Sequence, residues 1–567
     1  MEENLEDWKN DRPWLKHYPF EVSQTFDYPQ TNVARILLDS ARDFPNKEAI
    51  DFLGKSYTYK ELLRLCFKMA NALRAIGIAK GDRLAIMLPN CPQAVIAYYA
   101  GLMAGAIVVQ TNPIYTEREL HFQLADCGAA TLITLDLLLP RVLKAREGTA
   151  IRQIIVTSLS DGLPFPKNAL YPIKRRKEYP ELKVKYKASD GVLRWSSVLR
   201  RGQETPICEE VDAETELAMI QYTGGTTGRP KGVMLTHANL LANTLQLSNW
   251  CYRLEQGKES YLAALPLFHV FGLTVLMNQA VYKAGTLLLI PRFDPKLVLE
   301  TIRRRRPTIF PGAPTMYIAL LNHPSAQKDD LRSVKICVSG AAPLPREVQE
   351  KFEQLSGGRL IEGYGLTETS PVSHCNPIWG FRKSGTVGIP LPDTDVRIVG
   401  EESLDPLPIG EIGEIAIRGP QVMAGYWDRP EESAAVLRDG WLRTGDLGTM
   451  DEDGYFTIID RKKDLILAGG YNVYPREVEE VLFEHPAIKE ASVMGVPDPY
   501  RGETVKAFIV LKEGWQVSEM QLDRWCRDRL AAYKVPKHYE FRNELPLSLI
   551  GKVLRRKLKE ELEEKVE

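Results

Sequence analysis

The loop at residues 222–232, YTGGTTGRPKG, combines residue types that bind phosphate. Glycines let backbone N–H groups curl around an anion, while threonine hydroxyls and the ammonium of Lys231 add direct contacts. A plain surface turn is the alternative, but such a turn needs no run of this length ending in Pro-Lys-Gly. The spacing is neither GxxxxGK[ST] nor GxGxxG, which excludes a Walker loop and a simple dinucleotide-binding turn. The loop therefore predicts a phosphate-binding site.

Four further motifs follow this loop. They are PLFHVFG at 266–272, GYGLTET at 363–369, WLRTGD at 441–446 followed by Asp460-Arg461, and LPLSLIGKVLR at 545–555. In this order the five motifs resemble the AMP-forming adenylating enzymes, the superfamily of acyl-CoA synthetases, peptide-synthetase adenylation domains and luciferases. The resemblance covers nearly the whole chain. Residues 439–463 also resemble the signature segment of fatty acyl-CoA synthetases, closest to the bacterial long-chain fatty-acid–CoA ligases.

The resemblance implies an ATP site with Mg²⁺. Tyr364 would stack on adenine, Thr367 would touch the α-phosphate, and Asp446 with Arg461 would hold the ribose hydroxyls. A hard divalent cation takes oxygen ligands, which suits Glu368 with Thr226 as the metal-binding pair. The implied ATP-binding residues are Thr223, Gly224, Gly225, Thr226, Thr227, Gly228, Lys231, Gly340, Ala341, Ala342, Tyr364, Gly365, Thr367, Asp446, Arg461 and Lys552.

The histidine motif is implied to lie at the reacting carboxylate. A lone histidine among apolar residues is more often a core group, and the match to the family's HxxG position makes His269 a catalytic candidate instead, together with Lys552, Thr226 and Glu368. Apolar residues near it are candidates for an acyl pocket, although the sequence does not separate pocket wall from core. They are Phe268, Val270, Phe271, Gly272 and Phe310.

The last motif and the segment after residue 460 imply a mobile domain. In the family a lysine near the carboxyl terminus enters the active site, and Lys552 matches it. The hinge is expected at 460–464 with Lys463 as its pivot, and Gly469, Gly470 and Tyr471 would line the CoA passage. Some relatives, luciferase among them, carry a second lysine shortly after the hinge. Leu467 stands there instead, which argues for CoA ligation over light emission.

Regular elements must bring these side chains together. A capping-box pattern from Thr58 to Glu61 predicts the start of a helix. Residues 83–88, 93–103 and 106–109 read as strand, helix and strand, which is one crossover unit of a parallel sheet, and the alternation recurs through 130–340. Residues 385–460 instead show short strands with glycine and proline turns.

We therefore expect an α/β chain of two domains. A large N-terminal domain of parallel-rich βα sheets with a small β-rich subdomain covers 1–459, a hinge covers 460–464, and a small α+β C-terminal domain covers 465–567. Within that last domain, Pro475 is expected to begin a helix, a charged helix is expected near 518–532, and strands are expected at 491–496 and 506–511. Ligands should bind in the cleft between the domains.

Composition excludes several classes of protein. The chain has 73 basic and 74 acidic residues, so no global field favours nucleic acid. The eight cysteines form no CxxC pair and read as reduced core residues. The longest uncharged apolar run, 94–109, is shorter than the ~20 residues that span a bilayer, and the polar, acidic start resembles no secretory signal. We expect a cytoplasmic protein.

Residues 167–187 depart from this average, with eight basic and two acidic residues interleaved with apolar ones. A solvated surface insertion is the favoured interpretation. Peripheral contact with anionic lipid on the inner face of a membrane stays open. So does a homodimer.

The sequence thus predicts ATP-dependent ligation of a long-chain fatty acid to CoA through an acyl-adenylate, with release of AMP and pyrophosphate. The substrates would be fatty acid, ATP and CoA, with Mg²⁺ as cofactor. Alternatives in the same class are a medium-chain or aryl acid–CoA ligase and a ligase that loads a carrier protein. A silent fatty-acid or acyl-AMP binding module is the alternative outside it, although binding alone does not need Thr226, Glu368, Arg461 and Lys552 together.

Overall fold

The computed structural model describes residues 12–178, 190–223, 230–326, 330–499, 501–548 and 552–564. Its N-terminal part contains an eight-stranded sheet. Six neighbouring strands, beginning with Leu217–Thr223, are parallel to one another. At one edge, Lys231–Thr236 pairs antiparallel with Leu217–Thr223, and Gly425–Tyr426 pairs antiparallel with Lys231–Thr236. In spatial order the strands are Gly425–Tyr426, Lys231–Thr236, Leu217–Thr223, Ile107–Gln110, Arg83–Met87, Thr131–Leu135, Gln153–Thr157 and Val192–Arg194.

Two four-stranded sheets lie next to each other, because parallel bridges through Ile309 connect Tyr261 of one to Ile336 of the other. Both end in antiparallel strands. The first runs Ser260–Ala263, Thr286–Leu289, Glu48–Phe52 and Lys55–Thr58, and the second runs Ile336–Ser339, Arg359–Gly365, Val372–Cys375 and Ile389–Pro390.

The main core lies between these sheets and the eight-stranded one. Alternation along the strands sorts side chains to opposite faces: Leu84 joins this core, whereas Ala85 joins a second cluster on the outer face. The helix Pro92–Met103 is buried along its whole length, as the apolar run at 94–109 predicts. The described helices of this part are Arg35–Asp43, Tyr59–Ala75, Pro92–Met103, Glu117–Cys127, Leu139–Ala145, Leu159–Gly162, Lys167–Glu178, Trp195–Arg201, His237–Trp250, Val270–Gly272, Gln279–Tyr282, Pro295–Arg305, Pro314–Leu321 and Arg346–Ser356, with a π-helical segment at Leu273–Asn278.

The expected β-rich subdomain is an antiparallel sheet with the short helix Pro430–Val436 beside it. Its strands are Asp395–Val399, Gly413–Arg418, Trp441–Met450, Leu437–Arg438 and Phe456–Arg461.

The C-terminal part is the expected α+β unit with its own hydrophobic core. Its sheet, in spatial order, is Tyr471–Val473, Ile466–Ala468, Gly502–Leu511 and Ile488–Asp498, with His538–Arg542 added parallel to Gly502–Leu511. Its described helices are Pro475–Phe483, Glu519–Arg527 and Arg555–Glu564.

Several sequence predictions are confirmed and some boundaries differ. The capping box at Thr58 is present, and Pro475 begins its helix. The charged helix starts as expected after Ser518 but ends at Arg527, because the chain turns there into a segment that packs Leu530 and Val535 on the core. In the expected hinge segment, Asp460 and Arg461 end a strand and Lys462–Asp464 form a 3-10 turn. No helix among the described residues is long and apolar enough to cross a membrane.

Candidate functional site

The candidate residues gather where strands of the N-terminal sheets end. Thr223 and Gly365 are the last residues of their strands, and Gly340 follows directly after Ile336–Ser339. Ligands in open α/β sheets bind at the carboxyl ends of the strands. Gly224, Gly225, Thr226, Thr227 and Gly228 lie outside the described residues.

A tyrosine–aspartate–arginine group forms one wall of the cleft. The Tyr364 hydroxyl donates to Asp446 Oδ2 at 2.7 Å, and Arg461 Nε lies 3.3 Å from Asp446 Oδ1. Asp446 and Arg461 are direct partners across two antiparallel strands, which explains how residues 15 positions apart meet. Burial raises the pKa of Tyr364, with the charge of Asp446 as the second cause. The group offers a ring face, a carboxylate acceptor and a guanidinium donor to one ligand.

Two glycines among the candidate residues pack closely against other parts of the protein. A Cβ on Gly340 would approach the Phe271 ring to 3.1 Å. A Cβ on Gly365 would overlap the Pro371 carbonyl oxygen. Ala341 has a φ of 71°, an unusual backbone conformation for a residue with a side chain, and is exposed, with Ala342 half-buried beside it. The exposed Ala341 thus gives a ligand close access to the backbone, with only the small side chain of Ala342 beside it.

Glu368 is half-buried in the middle of the 3-10 turn Thr367–Thr369. Its Oε1 accepts from the Tyr426 hydroxyl at 2.9 Å, and burial raises its pKa. Among the residues that the structure describes, no cluster of three or more carboxylate, histidine or cysteine ligands is present. A single carboxylate beside a phosphate site fits Mg²⁺, which keeps several waters and shares its sphere with substrate phosphates. The residues present therefore fit the implied ion.

Lys231 lies on the other side of the same tyrosine. Its Nζ is 4.8 Å from the centre of the Tyr426 ring and pairs with Glu432. Tyr426 thus contacts both the candidate metal carboxylate and the candidate phosphate lysine. Sequence reasoning did not single out Tyr426 or Glu432, since neither belongs to one of the five motifs.

The turn that carries His269 is held by a buried asparagine. Asn90 Nδ2 donates to the carbonyls of Ala263 and Leu265 at 2.9 and 2.8 Å, and its Oδ1 accepts from Leu267 N at 2.8 Å. The turn is also tight, because a Cβ on Gly272 would overlap the Pro266 carbonyl oxygen. Gly272 is therefore required by backbone packing.

His269 is poised as a neutral donor. Burial lowers its pKa to about 4, with the charge of Lys552 as the second cause. Its Nδ1 accepts from Phe271 N at 3.2 Å. That contact assigns the proton of the neutral ring to Nε2, which can donate to a ligand oxygen.

The apolar candidates fall into two groups. Val270 and Phe271 are buried in the main core, and Phe268 is half-buried beside His269. Phe310 is instead packed against Tyr317, with ring centres 5.4 Å apart, in a separate cluster behind the sheet. The structure thus corrects the grouping of Phe310 with Phe271. Alternation along the extended chain is the reason, since its neighbour Ile309 faces the main core instead.

Lys552 comes from the C-terminal part and reaches the same cleft. Its side chain is exposed. Surrounding protein atoms nevertheless exclude enough water to lower the pKa of the ammonium to about 8, with the charge of Arg461 as the second cause. The charge of Asp446 opposes this shift. Lys552 is therefore close enough to the tyrosine–aspartate–arginine wall and to His269 for their charges to act on one another.

Arg555 fixes the segment that carries Lys552. Its guanidinium pairs with Asp464 at 2.9 Å and with Glu479 at 2.7 Å, and lies 3.8 Å from Asp460. Asp460 also accepts from the backbone N–H of Arg476 at 2.8 Å, at the start of a helix. One guanidinium thus connects the end of the chain to the segment at 460–464.

The remaining candidates face other surroundings. Burial lowers the pKa of Lys463 to about 8, with Arg461 as the second cause. Gly469 and Gly470 have φ values of 62° and 86°, and Gly469 N donates to Arg501 O at 2.9 Å. Tyr471 is 59% exposed and stacks on Tyr533 at 4.6 Å. In this arrangement Gly469 and Tyr471 contact residues of the C-terminal part, and a Cβ on Gly470 would meet nothing within 4 Å.

Comparisons with known proteins agree with the whole architecture. The chain matches the sequence profile described as "AMP-binding enzyme" over residues 37–427 and "AMP-binding enzyme C-terminal domain" over 477–552. A long-chain-fatty-acid–CoA ligase from Bacillus subtilis (strain 168) is 52% identical over 554 residues, which are 98% of each chain. A long-chain-fatty-acid–CoA ligase from Yersinia pestis is 40% identical over 558 residues, 97% of this chain and 98% of its own.

One solved relative is known in two states. The crystal structure of ATP-bound MatB from Rhodopseudomonas palustris is similar with a TM-score of 0.82 and 32% identity, over 93% of this chain and 98% of MatB. The apo structure of MatB covers the same shares at the same identity with a TM-score of 0.72.

Proposed function

The chain belongs to the AMP-binding enzyme family, and from that premise we propose how its cleft activates a long-chain fatty acid with ATP and transfers the acyl group to coenzyme A. The enzyme is an ATP-dependent fatty-acid–CoA ligase. Its products are acyl-CoA, AMP and pyrophosphate.

The chemistry proceeds through an acyl-adenylate. A carboxylate is a poor acyl donor because its oxygen leaves with difficulty. In the first half-reaction a carboxylate oxygen forms a bond to the α-phosphorus of ATP, and the bond to pyrophosphate breaks. In the second half-reaction the thiolate of CoA attacks the acyl carbonyl, and AMP departs with the former carboxylate oxygen. Two anions must meet in the first step, so positioning and charge neutralisation should supply most of the catalysis.

Three groups of side chains have distinct proposed roles in that step. Tyr364 stacks on the adenine, while Asp446 and Arg461 hold the ribose hydroxyls. Lys231 binds the phosphates, and Lys552 neutralises charge where the carboxylate attacks. The glycine-rich loop at 224–228 would contribute backbone N–H groups to the phosphates.

Glu368 is the proposed protein ligand of Mg²⁺, with Thr226 as its partner. The ion, when bound, neutralises charge on the phosphate oxygens. The Tyr426 hydroxyl donates to one carboxylate oxygen of Glu368, and the other oxygen would be the one to hold the ion.

His269 orients the fatty-acid carboxylate. With Nδ1 engaged by Phe271 N, the ring presents Nε2–H to one oxygen of the substrate. A neutral donor holds the carboxylate in place without quenching its nucleophilic charge as a cation would. Phe268, Val270 and Phe271 then lie beside the first carbons of the acyl chain, whereas Phe310 supports the sheet from behind.

The observation that carries this proposal is the convergence of Lys552 with His269 and the Asp446–Arg461 pair in one cleft. It corresponds to the arrangement needed for adenylation. The higher similarity to ATP-bound MatB than to apo MatB supports the same interpretation.

Thioester formation is proposed to use a second arrangement. Rotation about 460–464, with Lys463 at the pivot, would carry the domain at 465–567 relative to 1–459. Lys552 would leave the cleft and Gly469, Gly470 and Tyr471 would enter it to line the pantetheine passage. The exposure of Tyr471 in the present arrangement supports this exchange.

Release of pyrophosphate across a series of acids tests the function. We expect the highest kcat/KM for acids of twelve to eighteen carbons and CoA-dependent turnover. A higher kcat/KM for cinnamate-type acids would contradict the fatty-acid assignment in favour of an aryl-acid ligase. Turnover that needs an acyl-carrier protein and ignores CoA would contradict the choice of thiol.

A further inference from the structure

The helix Lys167–Glu178 presents its apolar side chains to solvent. Leu170 and Ile173 are 58% and 67% exposed, and Phe165 just before the helix is 82% exposed. On the opposite face Tyr171 and Arg175 are half-buried. An ordinary surface helix shows the reverse pattern. Exposed apolar residues at neighbouring positions indicate a surface that another phase or partner covers.

Basic residues surround these side chains. Lys167, Arg176 and Lys177 are exposed on the same helix. We call Phe165, Lys167, Leu170, Ile173, Arg176 and Lys177 the docking face.

Two further basic residues, Arg304 and Lys55, lie next to the docking face. Arg304 Nη1 and the Pro164 ring both lie within 4 Å of the position that a Cβ on Gly54 would take. Lys167 Nζ donates to Leu53 O at 2.9 Å, and Lys55 Nζ donates to Asp161 O at 3.1 Å.

Two described carboxylates near the docking face, Asp136 and Asp161, have partners within the protein. Asp136 pairs with Arg175, and burial raises its pKa. Asp161 accepts from the Thr157 hydroxyl at 2.9 Å and from Ser158 N at 3.1 Å. The six residues of the docking face include three cations and no carboxylate, so the face carries a positive charge that is complementary to an anionic surface.

We propose that the docking face binds the surface of an anionic phospholipid bilayer. Phe165, Leu170 and Ile173 enter the boundary between headgroups and acyl chains, while Lys167, Arg176 and Lys177 contact phosphate groups. A helix with apolar side chains facing out and flanking cations is the type that lies in the plane of a membrane interface. An apolar patch without the cations would fit a protein partner equally well, and the charge favours the lipid.

The docking face is connected to the catalytic turn by packed residues. Gly162, in the short helix before Phe165, packs against Pro92 and Gln93. Gln93 donates to Ser158 O at 3.0 Å, and Asn90, three residues earlier, holds the turn of His269. This step rests on the proposed function. A bilayer bound at the docking face would hold dissolved fatty acid at the same edge of the eight-stranded sheet as the candidate site.

Cosedimentation of the full-length protein with vesicles tests the binding. Wild-type protein should sediment with vesicles of phosphatidylcholine and phosphatidylglycerol and much less with phosphatidylcholine alone. The double variants L170Q/I173Q and R176Q/K177Q should each lower partitioning roughly tenfold or more. Matched controls on other faces, M520Q and R346Q/K351Q, should partition as the wild type does.

A fluorescent label measures the depth of contact. The native cysteines are buried except for half-buried Cys208, so a thiol-reactive NBD group on Ile173→Cys reports locally. Its emission should shift to the blue with anionic vesicles, whereas the same label on Met520→Cys should not respond.

Either of two results overturns the proposal: wild-type protein that ignores anionic vesicles, which would leave a protein partner for the face, or face variants that partition like the controls. Turnover of decanoate in vesicle-free buffer distinguishes a failure of membrane binding from a failure of the proposed ligase function. It should be equal in wild type and all variants, while turnover of oleate supplied in vesicles should fall only in the face variants. Wild-type protein that binds vesicles but turns over neither acid contradicts the proposed function and leaves the membrane contact standing.

Discussion

Lys552 and His269 share one cleft, yet the protein keeps them in different charge states at neutral pH. Burial lowers the pKa of both, to about 8 for the lysine and to about 4 for the histidine. At pH 7 Lys552 is therefore mostly an ammonium and His269 a neutral ring. The cation neutralises charge and the neutral ring donates a hydrogen bond, so each charge state suits its proposed role.

The rate of acyl-AMP formation should fall as pH rises through about 8, because the ammonium of Lys552 loses its proton there. Single-turnover adenylation between pH 6 and 10 measures this limb. Lys552→Arg, slower overall, should keep its charge and move the limb upward. Lys463 also has a pKa of about 8. Lys463→Gln is thus the control, and a limb that vanishes in this variant but persists in Lys552→Arg would contradict the assignment.

Glu368→Gln keeps the shape of the side chain and removes its charge. Turnover should fall by about 10²–10³-fold, the usual effect of losing one such electrostatic contact. The Mg²⁺ concentration for half-maximal rate should rise at the same time. Glu431→Gln, at an exposed carboxylate on the helix Pro430–Val436, is the control and should change neither quantity. A near wild-type rate of Glu368→Gln at limiting Mg²⁺ would remove Glu368 from the site.

At the scale of the elements, glycine positions decide how closely the strands approach the ligand. Gly365→Ala should lower the free energy of unfolding by more than about 2 kcal/mol, because the new Cβ overlaps the Pro371 carbonyl oxygen. ATP affinity should fall too, since Tyr364 is displaced. Thermal melts and nucleotide titration measure the two effects. Gly400→Ala, where nothing lies within 4 Å, should be neutral. Equal stability of both variants would contradict the packing argument.

Helices with a strong sequence pattern could be predicted from the sequence. Which side chains of a short extended segment face the core near the site could not. The helix after Thr58 and the buried Pro92–Met103 follow from a capping box and an apolar run. Ile309 and Phe310 are adjacent apolar residues in an isolated bridge, so only the structure shows which one faces the core near the site.

The site could be predicted where a motif carries it and not where distant residues complete it. Tyr364 comes from one motif and Asp446 and Arg461 from two segments of another; strand pairing brings Asp446 to Arg461, and a hydrogen bond joins Tyr364 to Asp446. Asn90 and Tyr426 lack a motif of their own, and their contacts depend on tertiary packing. The exposed face of the helix Lys167–Glu178 could not be predicted either, because its apolar and basic residues alternate in sequence and do not indicate which side chains point to solvent.

At the scale of the whole molecule, the two half-reactions should separate by mutation. Lys552→Ala should abolish acyl-AMP formation and still convert supplied acyl-AMP and CoA to thioester. Gly470→Leu should do the reverse, because a side chain in the pantetheine passage blocks the second step. Each half-reaction is measured alone, together with the melting temperature.

Backbone strain needs its own control in that experiment. Gly470 has a φ of 86°, so leucine is strained there even without a ligand. Gly514, in the same part of the chain, has a φ of 81° and open space around it. Gly514→Leu should thus show the same loss of stability with both half-reactions intact. Matched losses of both activities in all the variants would contradict the two-arrangement mechanism.

The ion pairs of Arg555 have a consequence for the direction of the reaction. Because this guanidinium ties the segment of Lys552 to Asp464, rotation at 460–464 and withdrawal of Lys552 would be one movement. If Lys552 has its proposed role in the attack on ATP, microscopic reversibility requires that it also assist the return of pyrophosphate to acyl-AMP. Once the domain has turned, that return path has lost its cation. Rotation would then slow the attack of pyrophosphate on acyl-AMP, and so preserve the activated acid until CoA binds.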